Sequence, residues 1–202
     1  MNHESRYSPT TLSVETRAAG AAPVVSGYAA KFNIVSHDLG GFKEVILPDA
    51  FDLADPDLDV ICNCEHLDCE YFARTKNGTL RLSTDDVGLL FEADPADTLK
   101  AADNLKLIER KDFDGCSFCF QVIQDEWSEG EDGTPLRQLI KVELRDVSCV
   151  FRPAYPETEL ALRSLAAWQE QRSKARIVPL SIRKRKLDLD FRSRRTRYFH
   201  ES

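Results

Sequence analysis

From Thr79 to Asp94 the chain reads Thr-Leu-Arg-Leu-Ser-Thr-Asp-Asp-Val-Gly-Leu-Leu-Phe-Glu-Ala-Asp, two alternating apolar–polar runs on either side of Asp85-Asp86-Val87-Gly88. Alternation with period two sends neighbouring side chains to opposite faces, and the polar cluster with its glycine is a turn signal, so this stretch is predicted to be a β-hairpin. A lone hairpin is marginal in water, so the rest of the chain must supply a sheet for it to join.

Further strand candidates are present. VVSGYAAKF (24–32), FKEVILP (42–48) and LDVICNCEH (58–66) are β-branched, aromatic or apolar runs between polar turns. FDGCSFCFQVIQDEW (113–127) and LRQLIKVELRDVSCVF (136–151) flank the acidic loop SEGEDGTP, the second reading as one long strand or two. Two stretches have helical spacing instead. ADTLKAADNLKLIER (96–110) follows the Asp94-Pro95 stop. PETELALRSLAAWQEQRSKAR (156–176) carries Glu in its first turn and Lys/Arg in its last, the order that suits the helix dipole. The reading is a mainly β, α+β chain with a closed or sandwich-like core and helices around it. Residues 1–23, Ser/Thr/Ala-rich and ending in AAGAAP, read as a loose arm, 24–172 as the main domain and 173–202 as a tail.

The net charge of −7 over 202 residues is unevenly spread. From Ser173 onward 10 Lys and Arg face 3 acids, whereas the first 172 residues carry 17 bases and 31 acids. An acidic body with a basic tail implies that the tail meets something acidic: an acidic protein surface, the body itself or nucleic acid. Aromatic residues in the tail are limited to Phe191, Tyr198 and Phe199, so nucleic acid ranks lowest. No run approaches the roughly 18 apolar residues of a membrane span. The first twenty residues lack the apolar core of an export signal, and the expectation is a soluble intracellular protein with thiols rather than disulfides.

Of four histidines, His3 and His200 lie in the arm and tail, and His37 sits in a Ser-His-Asp-Leu-Gly-Gly turn. His66 ends an apolar strand and opens a loop, and strand parity puts it on the face of Cys62 and Cys64. Ser117 enters a strand just after a glycine turn. Phe118, Phe120 and Val122 share one face there, so Ser117 points to the other, with a rigid strand behind it as a nucleophile needs. Asp146 falls among the even positions Val142, Leu144, Ser148 and Val150, an apolar setting in which a carboxylate needs a partner: an imidazole N–H, or an arginine such as Arg74 or Arg152. Glu143, on the opposite face, is the competing acid. Cys62, Cys64, His66 and Cys69 offer a rival Cys₃His zinc site, with Cys116 and Cys119 as further ligands, although this is not the usual two-knuckle spacing. Cys119 and Cys149 also sit at ordinary strand positions where a small hydrophobe would serve.

The order of short motifs then resembles one family. Gly27-Tyr28-Ala29-x-x-Phe32 is followed by Phe42-x-Glu44-x-Ile46-x-Pro48-x-Ala50-Phe51, by His66 with Ala73-Arg74-Thr75-x-x-Gly78-Thr79-Leu80, and by Asp86-x-Gly88-Leu89. Gly115-x-Ser117-Phe118-x-Phe120 and Asp146-Val147-Ser148-x-Val150-x-x-Pro153-Ala154-Tyr155 complete it. Over residues 25 to 163 this series resembles the prohead (capsid-maturation) serine proteases of tailed phages. The chain departs from the family at Asp49 and Cys119, where glycine is usual or frequent, and at Asp146, where glutamate is common.

The resemblance implies a herpesvirus-assemblin-like closed β-barrel with surrounding helices, no cofactor and no metal. It implies a serine endopeptidase with Ser117 as nucleophile, His66 as base and Asp146 as third member, and an oxyanion hole guessed by position near Arg152. It further implies cleavage of the scaffolding segment from the major capsid protein inside the immature capsid, in the host bacterial cytoplasm. Self-cleavage and a homodimer come with the same family, and the tail would dock on scaffold or capsid protein. The alternatives are a non-catalytic assembly protein of the same fold and a zinc-stabilised binding module built on the cysteines.

Overall fold

The computed structural model describes residues 3–8, 10–16, 23–151 and 159–176. The 79–94 stretch is the expected hairpin, strands β7 (Leu80–Thr84) and β8 (Gly88–Ala93). Its turn is fixed by Asp85, whose Oδ1 accepts the amides of Val87 (2.8 Å) and Gly88 (3.0 Å). A side-chain acceptor that satisfies two turn amides is why Asp is favoured there. Gly88 has a second reason to be glycine: a Cβ would lie 2.0 Å from the Ala30 carbonyl oxygen of the neighbouring strand. That strand is β3 (Pro23–Lys31), and with β2 (Ser13–Thr16) at the edge the four-stranded order is β2-β3-β8-β7.

The second sheet has six strands: β1 (Glu4–Ser8), β9 (Gly115–Glu129), β10 (Pro135–Val150), β5 (Ile61–Cys64) and β6 (Leu67–Arg74) in that order, with β4 (Lys43–Ile46) also on β10. At 16 residues β10 is long enough to take β9 along one edge and two short parallel strands on the other, β4 at 136–139 and β5 at 146–149. Both sheets feed one apolar core containing Phe91 and Leu89 from one and Phe118, Phe120, Val142 and Val147 from the other. Helix α1 (Leu99–Glu109) is capped by the Thr98 hydroxyl, which accepts the Ala101 amide, and buries Ala101 and Ile108. Helix α2 (Glu159–Arg176) is the expected C-terminal helix. Among the described residues no helix is long and apolar enough to cross a membrane.

The mainly β reading holds, with few helices. The expected barrel does not follow from the pairings alone, because each sheet has two ends among the described residues. Two stretches differ from the expectation: residues 67–74, for which no strand is expected, form β6, and part of the arm, residues 1–23, is sheet. Glu4–Ser8 pairs with the Ser117 strand and Ser13–Thr16 with β3. Strand β1 escapes an apolar pattern search because its buried residues are Glu4, Arg6 and Ser8. They are buried because they are paired. Arg6 donates to Glu44 (2.8 Å) and Glu4 (2.6 Å), while Arg137 donates to Glu4 (2.9 Å), Glu44 (3.2 Å) and Asp125 (2.6 Å). Burial alone would raise the Glu4 carboxyl, but the Arg137 and Arg6 guanidiniums overcome it and hold it below the ordinary range. The network fastens the edge strand to β4 and β10. The basic tail expected over 173–202 lies outside the described residues from 177 on.

Candidate active site

The site begins with one extra residue. Along β9 and β10, Leu144 pairs with Phe120 but Asp146 pairs with Cys119, so Arg145 is a β-bulge. Before it, Val142 and Leu144 face the core; after it, Val147 and Cys149 do. The bulge therefore turns Asp146 and Ser148 to the opposite face, and the expectation that Asp146 shares a face with Val142 and Leu144 is corrected. Re-aiming a side chain in this way is a known use of bulges beside functional sites. The spare acid is engaged elsewhere, with Glu143 paired to Arg145 at 2.9 Å.

Two rows of the sheet then build the site. Tyr7, Ser117, Ser148 and Asn63 are neighbours across β1, β9, β10 and β5, with Cys119 and Asp146 in the row beside them. Gly115 lets Tyr7 lie across this face, since a Cβ there would sit 2.2 Å from the tyrosine ring. Ser117 is away from the Phe118–Phe120 face, as the sequence indicates, yet it is fully buried.

His66 arrives from a turn. Cys64 pairs with Leu67, leaving Glu65 and His66 as a two-residue hairpin loop with φ of 52° and 58°. Both lie in the left-handed region that a type I′ turn requires and that normally selects Asn-Gly. Holding non-glycine residues there costs on the order of 1–2 kcal/mol each. Strand parity therefore does not apply to His66: Cys62 and Cys64 face the core, and the imidazole reaches over to the other face. Its backbone amide donates to the buried Ser148 hydroxyl at 2.9 Å.

The geometry of the three side chains is short and linear in connectivity. His66 Nδ1 lies 2.7 Å from Asp146 Oδ1, and His66 Nε2 lies 2.7 Å from Ser117 Oγ. An ionised carboxylate can only accept, so Nδ1 carries the proton and Nε2 is left to accept from the serine hydroxyl. The imidazole and carboxylate are partly shielded, their side chains 23% and 14% exposed. Such an arrangement can take a proton from Ser117 as its oxygen attacks an electrophile.

The cysteines do not converge on a metal. Cys62, Cys64, Cys116 and Cys149 lie in the core, Cys69 is exposed, and all six are free thiols. Burial pushes the Cys116 thiol well above its ordinary value, and hydrogen bonding to Cys149 together with burial does the same for Cys64. Both are thus poor thiolate donors. Both ring nitrogens of His66 already have partners, and among the described residues no cluster of three ligands has metal-site geometry. Arg74 pairs with Asp59 and not with Asp146. His37 is in an exposed loop, and the oxyanion position guessed at Arg152 lies outside the described residues.

Comparison with curated protein sequences finds no match. Among solved structures, the bacteriophage T4 capsid assembly protease gp21 aligns with a TM-score of 0.47 and 9% identity, over 75% of this chain and 98% of that one. The family model described as caudovirus prohead serine protease matches residues 10–171, most of the chain, and so the chain belongs to that family.

Proposed function

We propose that the protein is a serine endopeptidase of capsid maturation in which Ser117 is the nucleophile, His66 the general base and then acid, and Asp146 the group that fixes the imidazole. The observation that carries this reading is the unbroken chain of two 2.7 Å contacts from Asp146 through His66 to Ser117. His66 Nε2 takes the Ser117 proton as Oγ attacks the scissile carbonyl carbon, then delivers it to the leaving amine. Water attacks the acyl-enzyme in the second half, with the same nitrogen accepting its proton. Asp146 stays ionised and stabilises the imidazolium that forms between the two transfers.

The substrate in this proposal is the scaffolding segment of the major capsid protein, with the protease itself as a second substrate and a homodimer as a candidate working form. The place of action is the interior of the immature capsid in the host bacterial cytoplasm. The protease domain spans 24–172, with β1 and β2 added from the arm, and the basic tail is the docking segment for scaffold or capsid protein. Closure of the two sheets into an assemblin-like barrel belongs to the same proposal; the core they share supports it.

The test is co-expression with a major capsid protein that still carries its scaffolding segment. Wild type is expected to shorten the capsid protein, and Ser117→Ala, which removes one oxygen from a buried position, is expected to fold and leave it intact. Shortening by the alanine variant sinks the assignment of Ser117.

A further inference from the structure

We infer that Glu65 is a positioning residue for His66, its carboxylate tying the turn that carries the imidazole to the chain leaving β10. The inference rests on the Ser117–His66–Asp146 reading. Three hydrogen bonds hold the turn. The Glu65 amide donates to the Cys149 carbonyl at 3.0 Å, and the His66 amide donates to Ser148 Oγ at 2.9 Å. Both bonds reach adjacent β10 residues, at the end of the register that already pairs β5 with β10. The third reaches farther along the chain and is made by the side chain: Phe151, just past the end of β10, donates its amide to Glu65 Oε1 at 2.9 Å. The turn is thereby held at the last residues of the strand that carries Asp146 and again just beyond its end, and that strand pairs with the one carrying Ser117.

Glutamate is an unexpected residue for its backbone. At φ of 52°, glycine or asparagine would hold the turn at lower conformational cost. A side chain kept in an unfavourable backbone region points to work done by the side chain itself, and here its carboxylate bonds the Phe151 amide. A pivot of the turn would move Nε2 away from Ser117 Oγ, and a misplacement near 1 Å is enough to cost about 100-fold in rate.

The experiment uses the full chain and a fluorophosphonate probe. Ser117 Oγ bonds to phosphorus, fluoride leaves, and His66 takes the hydroxyl proton, so the rate reports the serine–imidazole contact without a peptide substrate. Glu65→Gly suits the left-handed backbone and removes the tether. It is expected to melt no lower than wild type, while its maximal labelling rate falls roughly 10-fold or more with half-saturating probe concentration unchanged. Glu65→Gln keeps an acceptor oxygen and is expected to label close to the wild-type rate. Labelling of Glu65→Gly at the wild-type maximum overturns the inference, as does an equal slowing of the glycine and glutamine variants, or a fall that only tracks lowered stability. Failure of the underlying triad looks different: wild type would resist the probe, or Ser117→Ala would accept it.

Discussion

At the residue scale, the geometry that brings Ser117, His66 and Asp146 together depends on positions outside that trio. Arg145 is an extra residue in β10, and that bulge puts Asp146 rather than Arg145 opposite Cys119, within reach of His66. Glu65 and His66 accept left-handed backbone so that an imidazole can reach across the sheet. Asp146→Asn tests the carboxylate directly. The amide has the same size, but its NH₂ can donate to Nδ1 and so select the tautomer whose Nε2 carries a hydrogen and cannot accept from Ser117. Peptide cleavage is expected to fall by about 10³–10⁴-fold with the melting temperature nearly unchanged. A fall below tenfold would mean that the tautomer is set by another group. Ser117, His66 and Asp146 were all legible in the sequence from residue type and motif order. Their faces were legible only for Ser117, because parity along a strand fails wherever a bulge or a turn intervenes, and no periodicity in residues 142–150 announces the bulge.

At the element scale, the strands missed in the sequence have separate physical causes. Pattern reading finds strands by their apolar face, and β1 buries charge instead. Strand β6 was missed because its hairpin loop is Glu65-His66, which carries no turn signal although its backbone is that of a tight hairpin. The 79–94 hairpin and both helices were legible because alternation or helical spacing ran through them, and the long strands because their apolar and β-branched runs are extended in spite of the bulges in β10. Once paired, β1 becomes pH-sensitive in a predictable direction. The Glu4 carboxyl is depressed below its unfolded value, so the stability it contributes is complete above about pH 4.3 and drains away as pH falls through the folded-state value. Glu4→Gln removes that contribution. At pH 7 the variant is expected to be less stable than wild type by about 1–3 kcal/mol, and the gap is expected to close as the pH is lowered below 4. Melting curves from pH 7 to pH 3 read this out. A gap that stays constant down to pH 3 would mean that Glu4 is not the group responsible.

At the scale of the whole molecule, the sheets and the charge distribution together restrict where the proposed self-cleavage would occur. A protease cuts extended chain that can leave its own structure, and β1 and β2 are committed to sheet pairing, β1 through a buried ion-pair network. Cutting within residues 4–8 or 13–16 first requires those pairings to be undone. The network at Glu4 and Arg6 makes that the costlier route, because its charge-assisted hydrogen bonds to Glu44 and Arg137 must be broken along with the strand pairing. Beyond Arg176 lie 26 residues with 8 Lys and Arg and 3 acids. Purified wild type incubated alone is therefore expected to lose mass from its C-terminal side and to keep Glu4 and Arg6, while Ser117→Ala holds its full mass. The shift is also one of charge: removal at that boundary takes the net charge from −7 to −12, and the product should elute later from an anion exchanger. Intact mass and elution position over time measure both. Loss of the N-terminal strand before the tail would show that β1 leaves the sheet more readily than its ion pairs allow, and the acid-dependence expected of Glu4 would then have to be abandoned with it.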